Sequence, residues 1–376
     1  MKAESLNFLS NAALFSSLLL VPLFAEELGA SPAEIGIIVA AYSMANMLAS
    51  YIFGRLSDIH GRRIFLISGL ILSSVTCMLQ YFAHDAIMLL VTRVLLGFCA
   101  GIYPAALLAY AYENKKRMSK FLAWGSGGWG FGTLIAGIIA TMFSIREPFL
   151  FSTLLMFLTI PIALKMPFRG DVKMAVPLFP VKVIKKNLSV YLPVLVRHTG
   201  ACAIWVMYPM FIRGLDGSGN ALFLWIGIMY AINSFTQFIV MQHLKSRSEI
   251  LISWGIMASI VTFLLFPMCS TIWELMPTQI LLAVSWSLIY VGSIKFMMAH
   301  NKERATATGF LNSILQMSAI VGALVGGAIV QVTGDMLAPM YFAAGMGGVA
   351  FILYFGIRKA QGLGGKAKPR NLTVKS

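Results

Sequence analysis

Runs of about twenty apolar residues, each long enough to cross the hydrocarbon core of a bilayer, recur twelve times along this chain with short polar stretches between them. That recurrence narrows the possible folds more than any other feature. Of the 376 residues, 59% are hydrophobic and only 11% charged. An average soluble domain carries about 25% charged residues, so one water-facing globule cannot cover this much apolar surface. The expected fold class is an all-α polytopic membrane protein. The spans read Leu6–Phe24, Glu34–Phe53, Ile64–Phe82, Ile87–Tyr110, Phe121–Phe143 and Phe149–Leu164, then Val190–Ile212, Ala221–Met241, Ile250–Met268, Trp273–Met298, Ala305–Val330 and Met336–Ile357.

The formal net charge of +15 is distributed as a topology signal and not as a nucleic-acid footprint. With the N-terminus cytoplasmic, the inner loops hold Lys2, Arg55, Arg62, Arg63, Lys115, Lys116, Arg117, Lys120 and most of the remaining Lys and Arg. The outer loops hold only Arg146 and Arg213 of that kind, beside acids such as Glu26, Glu27, Glu34 and Asp85. This alternation obeys the positive-inside rule loop after loop and places both termini in the cytoplasm of a cell with this protein in its plasma membrane. The four cysteines, Cys77, Cys99, Cys202 and Cys269, fall in apolar runs at no metal-ligand spacing and read as small hydrophobes. No phosphate-binding G-x-x-x-x-G-K-[ST] loop occurs, so the expectation is a chain with no enzymatic ATPase, no cofactor and no metal.

Pro167 to Asn187 is the longest polar connection and divides the spans into two sixes. The expected organisation is a bundle over 1–166, a cytoplasmic linker over 167–187, a second bundle over 188–358 and a disordered tail over 359–376. The sixes look like duplicates. Ile35-Gly36-Ile37-Ile38 in span 2 matches Ile226-Gly227-Ile228-Met229 in span 8, which aligns Asn46 with Gln237. Arg117 before span 5 likewise matches Arg304 before span 11.

Between spans 2 and 3 lies Gly54-Arg55-Leu56-Ser57-Asp58-Ile59-His60-Gly61-Arg62-Arg63. Gly54 and Gly61 suit a tight reversal, Asp58 and Arg62 are within ion-pairing reach, and Arg62-Arg63 open the next helix. Two arginines lie inside spans: Arg93, roughly 9 Å below the outer edge of span 4, and Arg197, roughly 10 Å inside span 7. An intramembrane charge faces a cavity or a partner, or else snorkels to the headgroups. His198 beside Arg197 is the one histidine well inside a span, and imidazole can titrate near neutral pH. No Asp or Glu falls in the middle of any span. Coulomb complementarity therefore favours an anionic or zwitterionic solute.

The pattern G-x-L-x-D-x-x-G-R-R over Gly54–Arg63 resembles the loop between helices 2 and 3 of the major facilitator superfamily. Arg93-x-x-x-Gly97-x-x-x-Gly101 resembles the helix 4 motif of its drug-exporting branch, whose arginine is linked to proton transfer. Gly132-Thr133-Leu134-Ile135-Ala136-Gly137 is similar to the antiporter motif of helix 5, with Thr133 where a proline is expected. Small residues at this spacing also explain simple helix packing.

The resemblance implies two pseudo-symmetric six-helix bundles that rock about a midplane site. It implies a solute path bordered by helices 1, 4, 7 and 10, to which Arg93, Tyr103, Arg197, His198, Trp205, Tyr208, Trp286, Tyr290, Asn7 and Asn11 belong. It also implies a cytoplasmic gate of Gly54, Asp58, Gly61, Arg62, Arg63, Glu113 and Arg117, with Asp58 facing the start of helix 11. The expected partners are a small organic solute, protons and the lipid bilayer, with no nucleic acid, and the expected state is a monomer. The expected function is secondary transport by alternating access, as proton-coupled efflux. The alternatives are uptake or uniport of an organic anion or metabolite, and a non-transporting sensor on the same fold.

Overall fold

A computed structural model describes residues 2–30, 32–114, 116–168, 180–216 and 221–361. Among them the α-helices are α1 (Lys2–Leu18), α2 (Val21–Glu27), α3 (Pro32–His60), α4 (Arg62–Tyr81), α5 (Ala86–Ile102), α6 (Pro104–Glu113), α7 (Met118–Met142), α8 (Glu147–Leu164), α9 (Val181–Asp216), α10 (Ala221–His243), α11 (Ser248–Leu265), α12 (Ile272–His300), α13 (Arg304–Thr333) and α14 (Ala338–Ala360). They build twelve spans long and apolar enough to cross a membrane, α1 with α2 forming the first and α5 with α6 the fourth.

Local chemistry sets the interruptions. Pro22 sits at the start of α2 and Pro104 opens α6. A proline has no N–H to donate and its ring collides with the preceding turn, so the first and fourth spans break where the sequence alone suggested continuous runs. Asp85 caps α5 by accepting from the Met88 amide at 2.7 Å. Thr271 and Glu274 form a capping box at the head of α12.

Two further sequence-based expectations change. The stretch from Gly54 is not a loop: helix α3 runs on to His60, and the reversal is confined to Gly61 at φ +98°, a conformation that glycine alone adopts without strain. Gly54 serves a close crossing instead. A Cβ there would lie 2.9 Å from the Ala305 carbonyl oxygen and 3.1 Å from Gly309 Cα on α13. Span 7 begins at Val181, inside the stretch read as linker. The linker segment 169–179 and the tail from 362, read as disordered, lie outside the described residues.

The helices form two six-helix bundles with matching contacts. In the first, α1 packs on α7 and α8, α4 on α5 and α8, and α3 on α5. In the second, α9 packs on α13 and α14, α11 on α12 and α14, and α10 on α12. The bundles meet along α3 against α13 and along α7 against α10. Under the register that aligns Asn46 with Gln237 and Arg117 with Arg304, these two seams are images of each other. Ser313 donates to the Met47 carbonyl at 2.8 Å in one seam, and Ser126 donates to Gln237 Oε1 at 3.2 Å in the other.

The core is divided by depth. One apolar cluster lies toward the basic face that carries Lys2 and Arg358, with Leu6, Leu66, Val194, Met241, Ile256 and Ile289 among its members. A second lies toward the opposite face, including Phe24, Ile38, Ala136, Ala201, Met229, Phe263 and Leu282. Each draws on both bundles. In the gap between them fall Asn46, Ser126, Arg197, Asn233, Gln237, Ser259 and Ser285, all buried.

Candidate functional site

At the basic face Asp58, 0% exposed, joins the bundles. Its Oδ2 accepts from the Thr306 amide at 2.8 Å and from Thr306 Oγ1 at 2.7 Å. Its Oδ1 accepts from Arg62 Nη2 at 3.3 Å. Thr306 lies in the first turn of α13, whose leading amides lack intrahelical partners, so the carboxylate meets the positive end of a helix dipole. Arg62 also pairs with Glu113 at the end of α6. Beside it the Arg304 guanidinium lies 4.6 Å from the Tyr112 ring centroid, and Ala105 and Ala109 of α6 pack on Ala305.

Arg63 stands apart from this cluster, exposed and 6.0 Å from the Phe168 ring centroid. Arg117 reaches across the second seam, donating to the Leu244 carbonyl at 3.5 Å. Gly54 and Gly61 shape the crossing and the turn described above.

At mid-depth Arg197, 2% exposed, does not snorkel. Its Nε donates to Ser259 Oγ at 2.8 Å and its Nη2 to Ser285 Oγ at 3.3 Å, from α11 and α12 of its own bundle. Aromatic faces complete the surroundings, with the Phe263 centroid at 5.2 Å and the Trp286 centroid at 5.5 Å. His198, Trp286 and Tyr290 form a column of nearly parallel rings. The His198–Trp286 centroids are 4.8 Å apart and the Trp286–Tyr290 centroids 5.4 Å, with interplanar angles of 21° and 12°. All three are only partly buried. A guanidinium beside flat aromatic faces can hold a carboxylate and a planar ring together.

Further toward the opposite face Trp205 and Tyr208 pack edge to face at 5.1 Å, and Gln279 donates to the Tyr208 hydroxyl. The remaining candidates lie in the first bundle. Asn7 donates to the Phe121 carbonyl at 2.9 Å and Asn11 to Asn7 Oδ1 at 3.0 Å, which ties α1 to α7. Tyr103 is buried at the break in span 4. Arg93 is 0% exposed and turns toward α3 and α4 of its own bundle, with Gln80 Oε1 at 3.2 Å and the Tyr42 ring centroid at 4.1 Å. The structure thus gathers Arg197, His198, Trp286 and Tyr290 into one site and leaves Arg93 in another.

Sequence reading aligned Asn46 with Gln237 without giving either a role, and it overlooked Asn233, Gln279 and Asn312. Asn312 donates to Asn46 Oδ1 at 3.0 Å and to Ser50 Oγ at 2.5 Å across one seam. In the other, Ser126 leads through Gln237 and Asn233 to Gln279, with Gln237 Nε2 to Asn233 Oδ1 at 2.7 Å and Asn233 Nδ2 to Gln279 Oε1 at 3.1 Å. The available signal was an Asn or Gln in the middle of an apolar span, where only a partner makes it tolerable.

A family model described as the Major Facilitator Superfamily matches residues 5–241. The chain belongs to the major facilitator superfamily. It is a multi-pass membrane transporter and not an enzyme. Over 360 residues this facilitator is 25% identical to the quinolone resistance protein NorA of Staphylococcus aureus, covering 89% of this chain and 90% of that protein. Over 138 residues it is 30% identical to an uncharacterized MFS-type transporter of Methanocaldococcus jannaschii, 35% of this chain and 36% of that one. Among solved structures, that of the human organic anion transporter MFSD10 shares the fold with a TM-score of 0.74 at 14% identity, covering 94% of this chain and 98% of that one.

Proposed function

We propose that this facilitator exports a small organic anion or zwitterion carrying a planar ring, in exchange for protons. The observation that carries the reading is Arg197, a mid-depth guanidinium held by two neutral serines beside the His198, Trp286 and Tyr290 rings. Among the described residues it is paired to hydroxyls and to no carboxylate, which leaves its charge for the solute. The likeness to a quinolone resistance protein supports efflux, and the helix 4 motif around Arg93 supports coupling to protons. The basic face is the cytoplasmic one by the positive-inside rule, with both termini there and the monomer in the cell membrane. The two bundles, the second beginning with α9 at Val181, rock about the carboxamide layer, with the stretch from Pro167 to Pro180 as their linker. The cluster of Asp58, Arg62 and Glu113 holds the cytoplasmic side shut in one of the two states.

Proteoliposome flux tests this. A radiolabelled quinolone, a planar zwitterion with a carboxylate, is expected to move when a pH gradient is imposed and to stop when an ionophore collapses it. Ethidium, planar and cationic, is expected to move far more slowly. Arg197→Ala should abolish quinolone flux. Equal transport of the two probes would refute the anionic site, and indifference to the pH gradient would refute proton exchange.

A further inference from the structure

Arg93 poses a problem that transport at Arg197 does not solve. Its guanidinium is 0% exposed, and of its three nitrogens only Nη1 has a hydrogen-bond acceptor, Gln80 Oε1 at 3.2 Å. Nε and Nη2 are buried without partners, and so is Nε2 of Gln80, itself 0% exposed. Among the described residues Arg93 makes no ion pair. The acid nearest in sequence, Asp85, is exposed at the head of α5, where it caps Met88. The face of the guanidinium is covered by the Tyr42 ring, 4.1 Å away. That approach depends on Gly97, where a Cβ would lie 2.3 Å from the Tyr42 carbonyl oxygen.

The chemistry of the empty positions is uniform. Nε–H and Nη2–H lie on the same edge of a guanidinium and form its side-on fork, the edge that takes a carboxylate or a single halide ion. Arginine does not give up its proton to escape burial. A buried charge without a counter-charge is strongly unfavourable, and the ring quadrupole of Tyr42 offsets only part of that. A water molecule would accept from one or two donors but leave the charge unopposed. Cys77, Leu96 and Tyr42 pack together in one buried apolar cluster, and such surroundings favour a small ion over a bulky one.

The geometry points to a resident small monovalent anion, chloride or a carboxylate as short as formate, bound inside the first bundle on the side-on fork of Arg93 and the Nε2 amide of Gln80. This site belongs to α3, α4 and α5 of one bundle and is separate from the Arg197 site in the other. The ion completes the core of the first bundle and is not cargo.

The test uses the purified full-length protein in detergent at constant ionic strength, with sodium gluconate, a much bulkier anion, exchanged stepwise for sodium chloride or sodium formate. A ligand bound only by the folded state raises the unfolding temperature saturably, by on the order of 3–5 °C at a hundred times its dissociation constant. The wild type is expected to show that rise, as is Arg197→Gln, which removes the buried guanidinium of the second bundle. Arg93→Gln should lose it and Gln80→Ala should need at least tenfold more anion. Equilibrium dialysis with radiolabelled chloride should find one site per chain in wild type and none in Arg93→Gln, and excess formate should displace it. A response to formate alone assigns the site to a short carboxylate. A rise no larger in chloride or formate than in gluconate, or one that survives Arg93→Gln, overturns the proposal. If Arg93→Gln does not fold, Gln80→Ala decides, because unchanged anion dependence there refutes the site.

Discussion

Replacing Asp58 by Asn should release the closed basic face. The carboxylate accepts three hydrogen bonds, two from Thr306 and one from Arg62, and it faces the head of α13. Charge-assisted hydrogen bonds contribute about 1.5–3 kcal/mol each against about 0.5–1.5 for neutral ones. A carboxylate at a helix N-terminus adds about 0.3–1 kcal/mol. Asparagine keeps the shape but turns one oxygen into an NH2 group that opposes a donor. The sum is a loss of about 3 kcal/mol from the closed state, or a shift of roughly a hundredfold in its population against the open one. Arg62 keeps its pair with Glu113, so the effect stays with the contact to α13.

Cysteine labelling reads this directly. Ala109 of α6 is fully buried and packs on Ala305 of α13 beside Asp58. The four natural cysteines are also buried. An Ala109→Cys reporter should react slowly with a membrane-impermeant maleimide applied from the basic face, and roughly a hundredfold faster with Asp58→Asn added. Thr306→Val, which removes the hydroxyl donor but keeps the amide, should accelerate labelling only about fivefold, the equivalent of about 1 kcal/mol. Rates within threefold of each other across these proteins would refute the idea that this carboxylate holds the bundles together.

Three further outcomes follow from the packing and the site. Gly309→Val places a Cβ 2.5 Å from the Ser50 carbonyl oxygen, and overpacking of this kind costs about 1–3 kcal/mol; the same maleimide assay should show faster labelling, with transport slowed. Ser259→Ala together with Ser285→Ala removes both acceptors of Arg197. Each buried donor left bare costs about 1–3 kcal/mol, so the unfolding temperature in detergent should fall by several degrees and recover in part when the transported anion is added. Trp286→Ala takes away the middle ring of the column. Stacking contributes about 0.5–1.5 kcal/mol, so KM for quinolone flux should rise about three- to tenfold while flux at saturation changes less.

The spans were legible because lipid demands length and apolarity, and both are written locally in the sequence. The helix breaks at Pro22 and Pro104 were not read, although a proline inside an apolar run is a local signal for one. What stayed hidden depends on direction and on distance along the chain. The sequence places Arg93 and Arg197 in spans, but which way a guanidinium turns depends on the azimuth of a helix against its neighbours. Both turn inward to their own bundle, Arg93 to Gln80 and Arg197 to Ser259 and Ser285. Gly54 read as a turn because glycine serves turns and close helix crossings alike, and the crossing partner Gly309 lies far along the chain. The amide links Asn46–Asn312 and Ser126–Gln237 span sequence separations of 266 and 111 residues, so no local pattern announces them.

The division of the interior by depth has a mechanical consequence. A molecule greasy at each pole and rich in amides at its equator can part at one pole without disturbing the other. The equatorial groups can trade one hydrogen-bonding partner for another, water or cargo included, at small net cost. In the proposed rocking motion they would act as the axle, and only one greasy seal would have to be broken at a time.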